Sequence, residues 1–219
     1  IAFWRIGLPS TIYEQSSAFE RVGAAINMTP NAVKILDGLG VGDAIRKKSH
    51  TPNYRISRTW DTGKETSRIE LGQSAVKRYG AAPLMLHRAD LMAILKSSVP
   101  AETIKFNKKL KSIRETKDSV LLIFEDKTIV KSRGVVGADG VHSVVRKSLF
   151  GIDKAIYTGM SAYRTVIPAK QVLGYDVLNF VKWWGPVPES QVVTNAINKG
   201  KELFLFASIP EQEEIRESW

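Results

Sequence analysis

The stretch Val136–Arg146 reads Val-Gly-Ala-Asp-Gly-Val-His-Ser-Val-Val-Arg and lies between an extended apolar run and a predicted helix. Gly137 and Gly140 lack a side chain, so the backbone can turn tightly here and approach a ligand closely. Asp139 provides a carboxylate that can accept hydrogen bonds from the hydroxyl groups of a ligand or from neighbouring backbone amides. Arg146 is a permanent cation that can pair with that carboxylate or with a phosphate. The alternative is an ordinary strand-to-helix turn, in which Gly and Asp are common.

The composition is that of a globular protein, with 43% hydrophobic and 25% charged residues in a chain of 219. This length is sufficient to bury a sizeable core. No apolar run reaches the roughly 18 residues that a membrane-spanning helix requires, so we expect no transmembrane segment. Cysteine is absent, which excludes disulfides and thiolate metal sites and fits a reducing compartment. We therefore expect a cytoplasmic protein.

The net charge of +10 raises the question of nucleic-acid binding. The cations concentrate in two segments, Arg46-Lys47-Lys48 and the set Lys105, Lys108, Lys109, Lys111, Arg114 and Lys117. Neither segment interleaves aromatic residues as a stacking platform for bases does, and neither contains a nucleic-acid-binding motif. We interpret them as solvated faces whose positive field also favours small anionic ligands, and we expect no nucleic-acid partner.

The first residues indicate part of a dinucleotide-binding βαβ unit. Ile1–Leu8 has the pattern of a helix end with Gly7 as its stop, and a short predicted strand, Thr11–Tyr13, closes on Glu14. In such units an acidic residue at the end of the second strand binds ribose hydroxyls, about 20 residues beyond a glycine-rich phosphate loop. Counting back from Glu14 passes Ile1, so we expect the chain to be an internal fragment. The alternative is an ordinary surface glutamate.

Three small residues precede the next helix. Gly23, Ala24 and Ala25 would let backbone amides pass close to a flat ligand. A proline then opens a predicted helix that ends at Gly38 or Gly40. The alternative is a plain loop that leads into an amphipathic helix.

Together these segments resemble the single-component FAD monooxygenases that hydroxylate aromatic rings, and in particular their salicylate-hydroxylase-like branch. Residues 137–146 resemble the family's Asp-Gly motif, Gly-Ala-Asp-Gly-x-x-Ser-x-x-Arg. Residues 23–32 resemble its Gly-Ala-Gly-Ile stretch and Pro-Asn-Ala helix, with Ala25 in place of the usual Gly. Three further segments match that branch: Trp60-Asp61-Thr62-Gly63, Tyr79-Gly80-Ala81 and His87-Arg88-Ala89-Asp90-Leu91.

The resemblance implies an FAD cofactor and NAD(P)H as co-substrate. It places Arg88 near the ribityl and phosphate groups of FAD and the backbone near Leu110 opposite the adenine. The cofactor-binding residues that it implies are Glu14, Gly23, Ala24, Ala25, Arg88, Leu110, Asp139 and Gly140. We expect four of them, Glu14, Gly23, Arg88 and Asp139, to converge on one cleft. His87 has a simpler interpretation, as a hydrogen-bonded histidine at a strand end.

The fold class that we predict is α/β, with a Rossmann-like FAD/NAD(P)-binding domain and a β-rich, antiparallel substrate domain. We assign residues 1–150 to the first domain and residues 151–219 to part of the second, with residues 51–83 leaning towards the substrate domain. Alternating patterns predict a hairpin around Asp61–Gly63, β-structure over Ile104–Val136 and antiparallel strands after Gly151. We also predict a helix from Leu91 to Ser98, and the β-rich segment before the Asp-Gly motif resembles the family's three-stranded sheet.

By this resemblance the whole protein hydroxylates a small aromatic or phenolic acid, with O2 as the oxygen donor. Arg164, in Ala162-Tyr163-Arg164, matches a recurrent family sequence and is our candidate catalytic-site cation near the ring or the flavin; strand packing with a surface cation is the alternative. No His, Asp or Glu cluster has metal-ligand spacing. Two other functions stay open: a non-catalytic fragment, and a flavin reductase or dehydrogenase of the same fold.

The family that this chain resembles has a later Gly-Asp-Ala motif that closes over the ribityl chain of FAD. We predict that the isolated 219-residue chain retains no stoichiometric FAD after purification, because we expect both this motif and the phosphate loop to lie outside it. The absorption spectrum of the purified chain tests this expectation. One bound flavin per chain would contradict it.

Overall fold

The computed structural model describes residues 1–20, 24–151, 155–172 and 174–212 of the chain. The chain separates into two compact units. The larger unit comprises Ile1–Ala2, Glu20–Val99 and Gly159–Trp219, and the smaller unit comprises Phe3–Phe19 and Pro100–Thr158. The predicted division into domains at residue 150 stays a prediction.

The helices among the described residues are short, and several begin or end where the sequence provides a suitable residue. They are α1 (Ala2–Arg5), α2 (Pro30–Gly38), α3 (Gly42–Lys48), α4 (Gly72–Tyr79), α5 (Arg88–Ser97) and α6 (Val144–Phe150). Pro30 opens α2, as predicted, because its fixed φ angle suits the first helical position. Gly80 ends α4 with a φ of +81°, a conformation that favours glycine. None of these helices is long and apolar enough to cross a membrane.

The strands of the described residues form four sheets. They are β1 (Ile12–Tyr13), β2 (Ala25–Met28), β3 (Tyr54–Thr59), β4 (Glu65–Glu70), β5 (Leu84–His87), β6 (Ile104–Lys105), β7 (Leu110–Glu115), β8 (Val120–Phe124), β9 (Ile129–Ser132), β10 (Met160–Pro168), β11 (Phe180–Trp184), β12 (Gln191–Ile197) and β13 (Glu202–Pro210). Helices and largely antiparallel sheets together confirm the predicted α/β class.

The larger unit contains a six-stranded sheet in the order β10-β13-β12-β11-β3-β4. Its neighbours are antiparallel except β11 and β3, which run parallel. The predicted antiparallel strands after Gly151 and the predicted hairpin are therefore confirmed. In the hairpin turn, the Gly63 N–H donates to the Thr59 carbonyl at 3.1 Å, and Gly63 has a φ of +67° that glycine adopts without strain.

Side chains alternate between the two faces of this sheet. One face, which we call the inner face, carries an apolar cluster that includes buried Phe204 and Ile197 and half-buried Phe206. The antiparallel pair of β2 and β5 lies against this face, because Met85 of β5 and Ala25 of β2 both pack into the same cluster. The inner face is therefore part of the core at one end.

The helices of the larger unit pack around a second apolar cluster. Val33 of α2, Ile45 of α3 and Leu86 of β5 are almost completely buried there. Strand β5 contributes Leu84 and Leu86 to this cluster and Met85 to the inner face. Because both of its faces are covered, its sequence is a continuous apolar run, without the alternation of a half-exposed strand.

The smaller unit has two sheets. Strand β1 runs parallel to β6, and β7, β8 and β9 form an antiparallel three-stranded sheet, as predicted. Phe124 of β8 is buried, and its ring centroid lies 4.8 Å from that of Tyr13 in β1. Helix α1 ends at Arg5, and Gly7 turns the chain away just after it, as predicted: the Leu8 N–H donates to the Phe3 carbonyl at 2.8 Å while Gly7 adopts a φ of +75°.

Several segments differ from the sequence prediction. Helices α3 and α4 and strand β2 were not predicted. Helix α5 begins at Arg88, three residues before the predicted Leu91, because His87 Nδ1 accepts from the Ala89 N–H at 3.1 Å and caps an additional turn. Residues 134–136 were predicted as a strand and form none. The neighbouring strand β8 begins at Val120, whose partner is Ser132 at the end of β9, so β8 has no further residue with which residues 134–136 could pair.

We predict that Asn195→Leu raises the free energy of unfolding by about 1 kcal/mol. Asn195 of β12 is completely buried opposite Phe204, and neither Oδ1 nor Nδ2 has a hydrogen-bond partner among the described residues. A leucine of similar shape removes the desolvation cost of the unpaired amide. Chemical unfolding of the purified protein measures the change.

Asn179→Leu is the matched control. Asn179 Oδ1 accepts from the Tyr54 N–H at 3.0 Å and its Nδ2 donates to Asp176 at 2.6 Å. This substitution breaks two hydrogen bonds and is expected to cost about 1–3 kcal/mol. Equal destabilisation by both substitutions would contradict the prediction for Asn195.

Candidate functional site

The Asp139 carboxylate closes the turn before α6. Its Oδ2 accepts from the Val144 N–H at 2.7 Å and from the Val145 N–H at 3.2 Å, and its Oδ1 accepts from the Ser143 hydroxyl. Ser143 is the N-cap of α6, and its hydroxyl oxygen accepts from the Arg146 N–H at 3.0 Å. Two side chains thus satisfy three of the N–H groups that a helix start leaves unpaired.

The ionisation of Asp139 follows from these contacts. Burial raises the pKa of Asp139, but the hydrogen bonds from Ser143 and from backbone amides lower it further, so that its net pKa lies below the ordinary value. The side chain is therefore an anion at neutral pH, at the helix end where negative charge is stabilised. Arg146 supports the same turn, because its Nη2 donates to the Val141 carbonyl at 2.6 Å.

The two glycines of this turn are required for different reasons. A Cβ at Gly137 would lie 2.8 Å from the Cβ of Val145, so glycine allows the chain to pass directly against α6. Gly140 has a φ of +80°, and apart from Gly140 itself and its two chain neighbours no described residue has an atom within 4 Å of where its Cβ would be. The backbone at Gly140 is therefore open to close approach by a ligand.

Backbone hydrogen bonds connect Glu14 to the segment that leads to Leu110 in the smaller unit. The Glu14 N–H donates to the Lys105 carbonyl at 2.9 Å, and the Lys108 N–H donates to the Glu14 carbonyl at 2.8 Å. Leu110 opens β7 two residues later. The Glu14 Oε1 accepts from the Ser16 N–H at 2.8 Å, which fixes the carboxylate at the end of β1 as the sequence predicted.

Ala24, Ala25 and Arg88 are neighbours in the larger unit. The Arg88 N–H donates to the Ala24 carbonyl at 2.9 Å, and Ala25 pairs with His87 across β2 and β5. Ala24 is buried, whereas the Arg88 side chain is exposed at the start of α5. His87 is buried and hydrogen-bonded at a strand end, as predicted. The predicted contact Gly23 lies outside the described residues.

Arg164 begins a row of side chains that crosses the inner face. The cross-strand partners are Arg164 with Phe206, Phe206 with Val193, Val193 with Lys182, and Lys182 with Ser57. Directly paired residues point to the same face of a sheet. From β10 to β11 this row therefore has a cation, two apolar residues and a second cation, in that order across the strands. We call it the inner-face row.

Lys182 was not identified from the sequence. Its Nζ lies 3.3 Å from the ring centroid of Trp184, the next residue on the same face of β11. Burial lowers the pKa of Lys182, and the nearby positive charge of Arg55 lowers it further. A lysine next to two tryptophans was the signal in the sequence that could have drawn attention to it. Its relation to Arg164 depends on the pairing of β11 with β12, of β12 with β13 and of β13 with β10.

The larger unit brings two predicted groups to the same face of its sheet. Ala25 and Phe206 pack against the same apolar cluster, and Phe206 is the cross-strand partner of Arg164. Glu14, Leu110, Asp139 and Gly140 belong to the smaller unit. The expected convergence of the four cofactor contacts on one cleft stays a prediction. Among the described residues, no group of three His, Asp or Glu side chains is arranged to hold a metal ion.

Comparison with known proteins gives a family match and close relatives. Residues 4–205 match the family model described as FAD binding domain. The 6-hydroxynicotinate 3-monooxygenase of Bordetella bronchiseptica is 37% identical over 219 residues, which cover 98% of this chain and 56% of that protein. The 3-amino-4-hydroxybenzoate 2-monooxygenase PtmB3 of Streptomyces platensis is 33% identical over 183 residues, which cover 83% of this chain and 46% of that protein. The chain thus spans about half the length of these relatives.

Solved structures show the same fold. The crystal structure of HpxO from Klebsiella pneumoniae, complexed with FAD and uric acid, matches 99% of this chain and 54% of that chain with a TM-score of 0.85. The sequence identity is 21%, so the similarity describes the fold alone.

We predict that Asp139→Ala lowers the free energy of unfolding by about 1 kcal/mol at pH 7, because three hydrogen bonds at the start of α6 are lost. Since the pKa of Asp139 is lower in the folded state, its contribution is complete above the unfolded pKa of about 3.9 and is lost as pH falls through the folded pKa. The difference between wild type and variant should therefore shrink below about pH 4. Asp118→Ala, at an exposed loop position between β7 and β8, is the control; an equal loss there would refute the assignment.

Proposed function

The chain belongs to the FAD binding domain family, and we propose that the whole protein is an FAD-dependent monooxygenase that hydroxylates a small aromatic acid with NAD(P)H and O2. The family predicted from the Asp-Gly motif is thereby confirmed. The names of two relatives designate monooxygenases of aromatic carboxylates, 6-hydroxynicotinate and 3-amino-4-hydroxybenzoate, which supports this substrate class. A cytoplasmic location, expected from the absence of cysteine, is part of the proposal.

The observation that carries the proposal is the arrangement on the inner face of the main sheet. Ala25, from the segment that resembles the family's flavin-adjacent stretch, packs into the same apolar cluster as Phe206. Phe206 in turn stands beside Arg164. An aromatic carboxylate needs an apolar surface for its ring and a cation for its acid group, and this row provides both.

The residues present fit FAD. The backbone of Arg88 is bonded to the Ala24 carbonyl, and its exposed guanidinium group is a cation that can bind a phosphate. The open backbone at Gly140 allows close approach, and the carboxylate of Glu14 is fixed at the end of a strand, where it can accept hydrogen bonds from ribose hydroxyls. We assign Arg88, Ala24 and Ala25 in the larger unit, and Glu14, Leu110, Asp139 and Gly140 in the smaller unit, as cofactor contacts.

FAD would supply the redox chemistry here: it would take up reducing equivalents from NAD(P)H and activate O2, of which one oxygen atom enters the ring and the other leaves as water. The residues of the chain bind and orient. Arg164 holds the substrate carboxylate through paired N–H donors, which fixes the direction of the ring. Phe206 and Val193 cover one side of the ring and exclude water from it. Asp139 and Ser143 hold the turn before α6 in shape, independently of any ligand.

We expect the full-length protein to oxidise NAD(P)H in the presence of an aromatic acid and to release a product that is one oxygen atom heavier. The measurement follows NAD(P)H absorbance across a panel of hydroxylated benzoates and nicotinates, with the product identified by mass. Oxidation of NAD(P)H without any oxygenated product would favour a flavin reductase or dehydrogenase instead. No oxidation and no bound flavin would favour a non-catalytic protein.

Two substitutions separate the proposed roles when the turnover assay is combined with a measurement of bound FAD by absorbance. Arg164→Lys should raise KM for the acid about tenfold while leaving the FAD content unchanged, because an ammonium cannot reproduce the paired contacts of a guanidinium. Arg88→Ala should weaken FAD retention about tenfold, because it removes a cation from a phosphate or ribityl contact. Arg78→Ala, on the exposed side of α4, is the control and should change neither quantity.

A further inference from the structure

The inner-face row has a cation at each side of its apolar centre. Arg164 stands on β10 and Lys182 on β11, and β13 and β12 lie between them. Three spacings between neighbouring strands separate the two backbones by about 14 Å. The intervening side chains are Phe206 and Val193, both half-buried. The row therefore offers an apolar surface about as wide as two strands, with positive charge beyond each edge.

Lys182 is held in place on this face. Its Nζ lies 3.3 Å from the centroid of the Trp184 ring, a distance at which the aromatic face attracts the ammonium group. Lys182 is half-buried in the middle of the sheet, between Val193 and Ser57. The inner-face row contains no acidic side chain to pair with it. A partly desolvated ammonium group that is fixed on a ring is prepared to bind an oxygen atom of a ligand.

We propose that Lys182 is a specificity-determining residue that binds the ring hydroxyl, or its phenolate form, at the end of the substrate opposite the carboxylate held by Arg164. This inference rests on the proposed function and adds to it the residue that binds the second oxygen group, on the side of the ring opposite the carboxylate. The two cations differ in role because a guanidinium matches a carboxylate with two parallel donors, whereas an ammonium suits a single oxygen.

The test compares two probes that differ only at one end, 4-hydroxybenzoate and benzoate. Dissociation constants are measured on the full-length protein with FAD bound, from the change in protein fluorescence. Wild type should bind 4-hydroxybenzoate about tenfold more tightly than benzoate, which corresponds to about 1.4 kcal/mol for one hydrogen bond to a charged group. Lys182→Met should weaken 4-hydroxybenzoate about tenfold and change benzoate less than twofold. Lys182→Arg, which keeps the cation, should retain most of the preference.

Two variants control for general effects. Arg164→Met should weaken both probes by the same factor, because both carry the carboxylate. Lys131→Met, at an exposed position of β9 in the smaller unit, should leave both constants unchanged. A loss of folding at position 182 would weaken both probes together, so the ratio of the two constants separates recognition from structural damage.

Equal affinity of wild type for the two probes would overturn the inference, and so would an unchanged ratio in Lys182→Met. Either result is compatible with an oxygenated product in the preceding assay, in which case the monooxygenase stands and Lys182 has no part in recognition. If no aromatic acid yields such a product, the proposed function itself fails.

Discussion

The register of the six-stranded sheet is the constraint on which the candidate substrate face depends. Because side chains alternate along every strand, a shift of one residue between two strands would move all the side chains of one strand to the opposite face. The buried cluster around Phe204 and Ile197 fixes that register, since a slip would expose these residues to water. The inner-face row lies beside this cluster on the same four strands. The packing of the cluster therefore also decides that Arg164, Phe206, Val193 and Lys182 share one face.

The same cluster connects the sheet to the rest of the larger unit. Met85 and Ala25 reach it from β5 and β2, and β5 buries its other residues among the helices. Arg88 follows β5 directly and donates its N–H to the Ala24 carbonyl. The backbone position of Arg88 is therefore determined by a strand with both faces covered, which also holds the small residues beside it in place. Rigid elements of this kind hold binding groups more accurately than free loops do.

The turn at Asp139 has a different physical basis, because its contacts are almost all local. The carboxylate, the Ser143 hydroxyl and the first N–H groups of α6 are within seven residues of one another. The hydrogen bonds also keep Asp139 ionised, so the turn carries a fixed negative charge at neutral pH. The motif is thus explained first by helix capping. The backbone at Gly140, where we propose a cofactor contact, is open and takes no part in those hydrogen bonds.

The sequence by itself determined the features that short-range chemistry fixes. The Asp139 turn and α6, the Pro30 start of α2, the Gly63 hairpin and the strands after Gly151 depend on residues a few positions apart, so turn residues and alternation were sufficient to predict them. The tertiary structure alone decided the parallel pairing of β11 with β3, whose residues are more than 100 positions apart. It also decided the registers of β11 with β12, β12 with β13 and β13 with β10, which place Lys182 and Arg164 in one row. It also decided the burial of Asn195 among apolar side chains, which its alternating strand did not reveal. Pairing between distant strands depends on the whole core, and local sequence patterns contain no information about which strand becomes the neighbour.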